Sequence, residues 1–138
     1  MTLLDAYALI AFLVGGPAAP TVRSLLREGD SVVTTANLME TLDVSQRVHG
    51  LMIARAMEAL DPLLQGPLDT IPLDAETARS AAELRAKHYH RSRRPISLAD
   101  AVLLASARTG DRIATADPDV LAVAKAEGVD TVELPEQG

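Results

Sequence analysis

Short apolar segments typical of β-strands alternate with helical segments along almost the whole chain, and this alternation limits the possible folds more than any other feature. The predicted strands are residues 2–5 (TLLD), 31–34 (SVVT), 69–73 (DTIPL), 112–115 (RIAT) and 131–134 (TVEL). The third is the weakest prediction, because Pro72 cannot donate a ladder hydrogen bond. Strands separated by helices pair in parallel, since each helix returns the chain to start the next strand in the same direction. The alternation therefore predicts an α/β fold with a central parallel sheet of four to five strands and helices on both faces.

Seven segments between these strands have helical spacing. They are residues 6–14, 21–28, 35–50, 51–64, 74–90, 97–107 and 117–128. Gly50 separates the third from the fourth, so we expect these two helices to pack as a hairpin. The chain of 138 residues has no repeat, linker or low-complexity tract. We therefore expect a single domain over residues 1–138.

The chain has no Cys, which excludes disulfide scaffolds, thiolate zinc sites and cysteine nucleophiles, and favours the cytoplasm. Its apolar start carries Asp5 and has no basic residues before the apolar run, unlike a signal peptide. No run approaches the roughly 20 apolar residues that cross a bilayer. We expect a cytoplasmic protein with no membrane segment.

Four acidic residues come from separate segments that the predicted fold brings to one edge of the sheet. Asp5 ends the first strand, and Asp117 lies just beyond the fourth. Asp100 is in the first turn of the apolar helix 97–107, and Glu40 is in the second turn of the helix after SVVT. Ligands of open α/β sheets bind beyond the carboxyl ends of the strands. The four acids are therefore candidates for one common site.

Carboxylates a few ångströms apart repel one another, so some must stay protonated unless a cation lies between them. An all-oxygen set of ligands, without Cys or His, suits Mg²⁺ or Mn²⁺. Such an ion lowers the pKa of a bound water and neutralises charge on a phosphoryl oxygen. The four acids therefore indicate metal-dependent hydrolysis of phosphodiester bonds.

For two of these acids, a structural role explains the residue as well as a functional role does. Ser97 and Asp100 have the spacing of a capping box, in which the acid accepts from the N-cap backbone amide. Asp117 precedes Pro118, as an ordinary N-cap does when proline occupies the first turn. Capping and metal binding do not exclude each other.

The other two acids differ in how well a structural role explains them. Glu40 could lie on a solvated helix face, and Asp43, one turn later, is an equal candidate for any function. Asp5 follows an apolar strand and precedes an apolar helix, where an unpaired charge costs several kcal/mol. Asp5 is therefore the acid for which a functional role is favoured most.

The formal net charge of −6 argues at first against a nucleic-acid partner, because phosphate binding depends on Lys and Arg. Metal ions would neutralise the charge of the acids gathered around them, and 13 Lys and Arg remain to form a basic surface. Arg91, Arg93 and Arg94 lie in the segment RAKHYHRSRRP (85–95), directly before the helix that carries Asp100. They are candidates for contacts to RNA phosphates, unless they serve only as cations at a helix C-terminus.

Four blocks of the sequence, in this order, resemble the PIN domain and in particular the VapC toxins of bacterial toxin–antitoxin pairs. The blocks are LLDAYALIAFL (3–13), ANLMETLDV (36–44), ISLADAVLLASA (96–107) and IATADPDVLAVA (113–124). The resemblance implies a three-layer α/β/α fold and a hydroxyl, that of Thr115, beside the last acid. It also implies a catalytic acidic quartet that binds Mg²⁺ or Mn²⁺ and consists of Asp5, Glu40, Asp100 and Asp117.

The activity implied by this resemblance is metal-dependent endoribonuclease cleavage of tRNA, rRNA or mRNA. It also implies a VapB-type antitoxin that restrains the toxin, and a homodimeric toxin. One departure concerns the residues after the first acid, where many members have Thr or Ser followed by a small polar residue and this chain has Ala6 and Tyr7. A hydrogen bond that orients the first carboxylate is then missing or comes from the Tyr7 hydroxyl, unless that ring simply packs in the first helix.

Two other functions fit parts of the same pattern. A PIN-like fold without catalysis, acting as an RNA- or protein-binding regulatory module, is favoured by the missing polar residue after Asp5. Phosphoryl transfer through an aspartyl intermediate needs a second Asp at the position of Tyr7, or a paired acid with a Lys after a late strand, and the sequence RIATADPD offers no Lys. The sequence therefore favours the nuclease over both.

Overall fold

The computed structural model describes residues 1–136, which form a five-stranded parallel sheet and seven helices. The strands are β1 (Thr2–Leu4), β2 (Ser31–Thr34), β3 (Leu68–Ile71), β4 (Arg112–Thr115) and β5 (Asp130–Glu133). The helices are α1 (Ala6–Val14), α2 (Ala19–Glu28), α3 (Thr35–Arg47), α4 (Ile53–Leu64), α5 (Ala75–His88), α6 (Leu98–Ser106) and α7 (Pro118–Ala126). The predicted α/β fold is confirmed, including the third strand, which ends just before Pro72 and forms one edge of the sheet.

Helices cover both faces of the sheet because successive strand residues point to opposite sides. Leu4 of the central strand packs in a core with α1, α2 and α4, while its neighbour Leu3 packs in a second core with α6 and α7. Both leucines are fully buried. Full burial stabilises each by roughly 1.5–3 kcal/mol, which fixes the register of β1 and the direction in which the next residue, Asp5, leaves the sheet.

The strand order is β3-β2-β1-β4-β5, so β1 lies between β2 and β4. The chain first builds β2 and β3 on one side of β1 and then crosses over to build β4 and β5 on the other side. The point at which the order reverses therefore lies between β1 and β4. A crevice forms there, at the carboxyl ends of the strands, because neighbouring connections leave in opposite directions.

The predicted hairpin of two helices is α3 and α4, which pack against each other. The connection turns at Gly50, whose positive φ of 70° is a conformation that glycine adopts without strain. Gly110 does not cap α6, which ends four residues earlier at Ser106; it lies in the turn that leads into β4. Within residues 1–136, no single helix is long and apolar enough to cross a membrane; α1 and α2 reach that length only as a pair bent by 109°.

Candidate active site

A cavity of about 450 Å³ lies at the carboxyl edge of the sheet, beside the point where the strand order reverses. Four acids that come from four separate segments line it together: Asp5, Glu40, Asp100 and Asp117. Among the other described residues that line it are Ala6, Tyr7, Ser97 and Glu136. The structure therefore brings together the acids that the sequence predicted to meet, and it adds Glu136 to them.

Asp5 is the N-cap of α1 and is only 5 % exposed. The Ala8 backbone N–H donates to Asp5 Oδ1 at 2.8 Å, and the Thr115 side chain also lowers the pKa of the carboxylate, as a nearby donor does. Burial raises the pKa of Asp5 to about 7, and the nearby charges of Asp100 and Asp117 add to the rise, although the Thr115 side chain and the Ala8 backbone N–H oppose it. Asp5 is thus held in place by a hydrogen bond in surroundings that disfavour its charge.

Asp117 is the N-cap of α7, and its Oδ1 accepts from the Asp119 backbone N–H at 2.8 Å. The Asp117 backbone N–H in turn donates to Thr115 Oγ1 at 3.1 Å. The buried Thr115 hydroxyl is therefore bonded to the segment that carries Asp117 and also acts on the pKa of Asp5. The predicted hydroxyl beside the last acid lies behind the wall of the cavity rather than in its lining.

Asp100 forms the predicted capping box at the start of α6. It is also part of the cavity lining, so its carboxylate serves the helix and faces the cavity at the same time. Burial raises the pKa of Asp100, and the charges of Asp117 and Asp119 act in the same direction, although the hydrogen bonds from Ser97 oppose them. The capping box is therefore confirmed, and the place of Asp100 in the cavity lining is compatible with the predicted role at a metal site.

Glu40 is half-buried on α3, and burial raises its pKa, with a further contribution from the charge of Asp100. The side chain of Asn37 lowers the pKa of Glu40 and so opposes these effects. Asp43, the alternative that the sequence left open, is 58 % exposed and pairs with Arg47 at 3.2 Å. Asp43 is not part of the cavity lining, so Glu40 is the acid that α3 contributes.

The electrostatics of the cavity favour a cation. None of the described residues that line it is Lys or Arg, so the raised pKa values have no cationic side chain to lower them. The donor set consists of carboxylate oxygens, the ligands that Mg²⁺ and Mn²⁺ prefer. Within residues 1–136, no three acidic or His side chains are arranged around a common point as metal ligands. Mg²⁺ keeps several waters and often takes only one or two carboxylates, so the donor set fits such an ion without a closed cage.

Comparison with known proteins identifies the family. The family model described as the PIN domain matches residues 2–126. The chain belongs to the PIN domain family. A search of curated proteins gives no match.

Several solved structures have the same fold as this PIN domain. DNA-bound VapBC from Salmonella typhimurium superposes with a TM-score of 0.70 at 17 % identity, over 96 % of each chain. FitAcB from Neisseria gonorrhoeae gives 0.67 at 23 % identity, over 96 % of this chain and 97 % of that one. VapC20 from Mycobacterium tuberculosis, described as a toxin that cleaves the sarcin–ricin loop, gives 0.64 at 16 % identity, over 98 % and 90 %. At these identities the likeness shows the fold.

Two features of the PIN domain's cavity were missed by the sequence analysis. Glu136 reaches the lining next to a long-range contact, in which the Tyr7 hydroxyl donates to the Pro135 carbonyl at 2.6 Å. No local pattern signals this contact, because 128 positions separate the two residues. Asn37 is fully buried beside Glu40, and here a signal existed, since it stands three positions after the helix N-cap Thr34.

The basic segment before α6 forms a closed turn. The backbones of His90 and Arg94 exchange two hydrogen bonds of 2.9 Å, and His90 Nδ1 accepts from the Arg93 backbone N–H at 3.1 Å. Arg91 and Arg93 are exposed on this turn. Arg94 Nε instead lies 3.8 Å from Asp119 Oδ1 of α7. This ion pair links the turn to the helix that begins at the cavity. The two exposed arginines, rather than all three, are therefore available to an RNA.

Proposed function

We propose that this PIN domain, taken as a single domain over residues 1–138, is a metal-dependent endoribonuclease that hydrolyses RNA phosphodiester bonds. The observation that carries the proposal is the meeting of four acids from separate segments in one cavity whose described lining has no Lys or Arg. The pKa is raised for Asp5, Glu40 and Asp100. Groups whose pKa is raised together in one crevice are typical of functional sites, because nothing in the fold itself benefits from their repulsion.

The residues that would hold Mg²⁺ or Mn²⁺, directly or through waters bound to the ion, are Asp5, Glu40, Asp100 and Asp117. When bound, the ion would supply a water of lowered pKa and neutralise charge on the phosphoryl oxygen. Thr115 accepts the Asp117 backbone N–H and lies near enough to Asp5 to lower its pKa, so its hydroxyl would help to hold the two segments together. Helices α1, α6 and α7 begin at the cavity, and their N-terminal ends favour a negatively charged phosphate.

The exposed arginines of the turn before α6 would hold the RNA backbone. Arg91 and Arg93 are exposed, and no acid is paired with either of them in the part of the chain that the structure describes, whereas Arg94 pairs with Asp119. Phosphate contacts of this kind set the position of an RNA without reading its sequence. The target, whether tRNA, rRNA or mRNA, would then be selected by other contacts.

We further propose that the protein acts in the cytoplasm as a VapC-type toxin, that a VapB-type antitoxin inhibits it, and that it forms a homodimer. The likeness to VapBC and to FitAcB supports an antitoxin partner. Met39, Met52 and Ile53 of the α3–α4 hairpin expose 67 %, 64 % and 43 % of their surfaces, which favours a protein contact there. Light scattering after size exclusion tests the dimer, and a monomer at high concentration would contradict it.

The nuclease is tested by incubating the protein with total RNA, with and without Mg²⁺ or Mn²⁺, and mapping the new RNA ends. We expect new ends at defined positions only with the ion and only with an intact acidic quartet. A preparation of the Asp100→Asn variant, made in parallel, controls for contaminating nucleases. Equal cleavage in the presence of a chelator would reject the proposed chemistry.

The alternative is a catalytically silent PIN-like module that binds RNA or protein. Two observations favour it: Ala6 offers no hydroxyl to the cavity, and in residues 1–136 the carboxylates do not surround a common point. Calorimetric titration with Mn²⁺ separates the two functions, because a silent module need not bind the ion. Saturable binding that depends on Asp5 would favour the nuclease.

A further inference from the structure

Asn37 is a fully buried residue whose amide nitrogen, Nδ2, has no hydrogen-bond partner in the described part of the chain. A buried donor without an acceptor costs about 1–3 kcal/mol. An apolar side chain of similar size would avoid that cost. Packing alone therefore does not explain why an amide occupies this buried position, whereas its location in the fold does.

The orientation of the Asn37 amide is fixed by Thr34, the N-cap of α3. The Asn37 backbone N–H donates to Thr34 Oγ1 at 3.0 Å, so the hydroxyl oxygen already acts as an acceptor. The hydroxyl proton is then free to donate to Asn37 Oδ1, also at 3.0 Å. Because Thr34 holds Oδ1, Nδ2 lies at the opposite edge of the planar amide group.

Glu40 is the acceptor within reach of that nitrogen. It lies three positions later on α3, and side chains at this spacing are neighbours on the helix surface. The Asn37 side chain lowers the pKa of Glu40, as a donor facing a carboxylate does, although the geometry falls short of a hydrogen bond.

Glu40 differs from the other three acids in how it is held. Asp5, Asp100 and Asp117 each accept a backbone N–H at a helix start, at 2.8 to 3.1 Å. Glu40 lies in the second turn of α3, where the backbone N–H groups are already used within the helix. The Glu40 carboxylate therefore needs a side-chain donor to orient it.

We propose that Asn37 is a positioning residue, which donates Nδ2–H to the Glu40 carboxylate and orients it toward a divalent cation in the cavity. This inference rests on the proposed function. Nδ2 is itself buried, so Asn37 acts through Glu40 and touches neither the ion nor the RNA. Partners of this kind typically change metal affinity by about 10–100-fold.

A double-mutant cycle with Mn²⁺ tests the inference, with affinities measured by calorimetry and the fold checked by circular dichroism. We expect Asn37→Ala to weaken Mn²⁺ binding by about 10–100-fold in the wild-type background. In the Glu40→Gln background the same change should have almost no effect, because the carboxylate through which it acts is gone. A general disturbance of the fold would weaken binding equally in both backgrounds.

Ser45→Ala provides a matched control. Ser45 is also fully buried on α3 with an unpartnered side-chain oxygen, but it is not part of the cavity lining. Its substitution should leave Mn²⁺ affinity unchanged. If Asn37→Ala weakened Mn²⁺ binding equally in both Glu40 backgrounds, the positioning role of Asn37 would be rejected and the metal site would stand. If the wild-type protein bound no Mn²⁺, this inference and the metal site would both be rejected.

Discussion

Ser97 and Asp100 are joined by two hydrogen bonds at the start of α6: the Asp100 backbone N–H donates to Ser97 Oγ at 3.0 Å, and the Ser97 backbone N–H donates to Asp100 Oδ2 at 3.1 Å. The bonds hold the carboxylate at the edge of the acidic cavity. The Ser97 hydroxyl caps the helix, and the charge of the Asp100 carboxylate lies at the cavity. Substitutions at the two residues can therefore separate helix capping from cavity chemistry.

Replacing Asp100 with Asn should keep the fold and remove the activity. The Asn side-chain oxygen can still accept the Ser97 backbone N–H, so we expect a change in stability of less than about 1 kcal/mol. Loss of the negative charge should lower RNA cleavage at least about 100-fold, since a bound metal contributes several kcal/mol to the transition state. Thermal unfolding and a single-turnover cleavage assay measure the two effects.

The converse substitution, Ser97→Ala, is the matched control. It removes the hydroxyl that caps α6 and should destabilise the protein by about 0.5–2 kcal/mol. The carboxylate of Asp100 remains, so cleavage at a temperature well below unfolding should stay within a few-fold of wild type. If Ser97→Ala abolished cleavage while Asp100→Asn preserved it, the carboxylate would have no catalytic part.

Without metal, the protein should lose stability as the pH rises from 5 to 7.5. Asp5 has a pKa of about 7 in the folded protein against its ordinary value of 3.8, so in this range the folded state binds more protons than the unfolded state. The raised pKa values of Glu40 and Asp100 act in the same direction. Between pH 5 and 7.5 the effect of Asp5 alone is on the order of 2–3 kcal/mol. Thermal scans in a chelator at several pH values should therefore show a falling midpoint.

Asp5→Asn should flatten this pH profile. The Asn oxygen can still accept the Ala8 backbone N–H, so the start of α1 is preserved. Because no charge then develops in the buried position, the metal-free variant should be more stable than wild type at pH 7.5. A variant that follows the wild-type profile would show that the titration arises elsewhere.

Local patterns made most of the fold predictable. The strand TLLD and the helix after it lie within one residue of their predicted limits, because apolar periodicity and the position of Gly15 are local properties. The meeting of Asp5 and Asp117 was also predictable, since parallel strands place their carboxyl ends at one edge. The ion pair of Arg94 with Asp119 and the contact of Tyr7 with Pro135 were not, because they depend on how distant segments pack.

Removing the two exposed arginines of the turn should reduce the salt dependence of RNA binding. For a single-stranded RNA, each lost phosphate contact lowers the slope of log affinity against log salt by about 0.7, so Arg91→Ala with Arg93→Ala should lower it by about 1.4. Binding is measured with the Asp100→Asn variant to prevent cleavage. Arg55→Ala, an exposed arginine on α4, is the control and should leave the slope unchanged. An unchanged slope in the double variant would remove the turn from the RNA path.

Addition of Mn²⁺ at pH 7.5 should stabilise the protein, and a chelator should reverse the effect. Binding to the folded state alone adds about 2.7 kcal/mol at a concentration 100 times Kd, which raises the thermal midpoint of a domain of this size by roughly 5–10 °C. The gain in stability should be smaller at pH 5.5, because protons compete with the ion for Asp5, whose pKa is about 7.

Asp117→Asn tests where the ion binds. The variant keeps a cap for α7 but loses the charge of a proposed ligand, so the stability that Mn²⁺ adds should fall sharply. NaCl at equal ionic strength is the control for screening. A gain of the same size in Asp117→Asn would place the ion outside the acidic cavity.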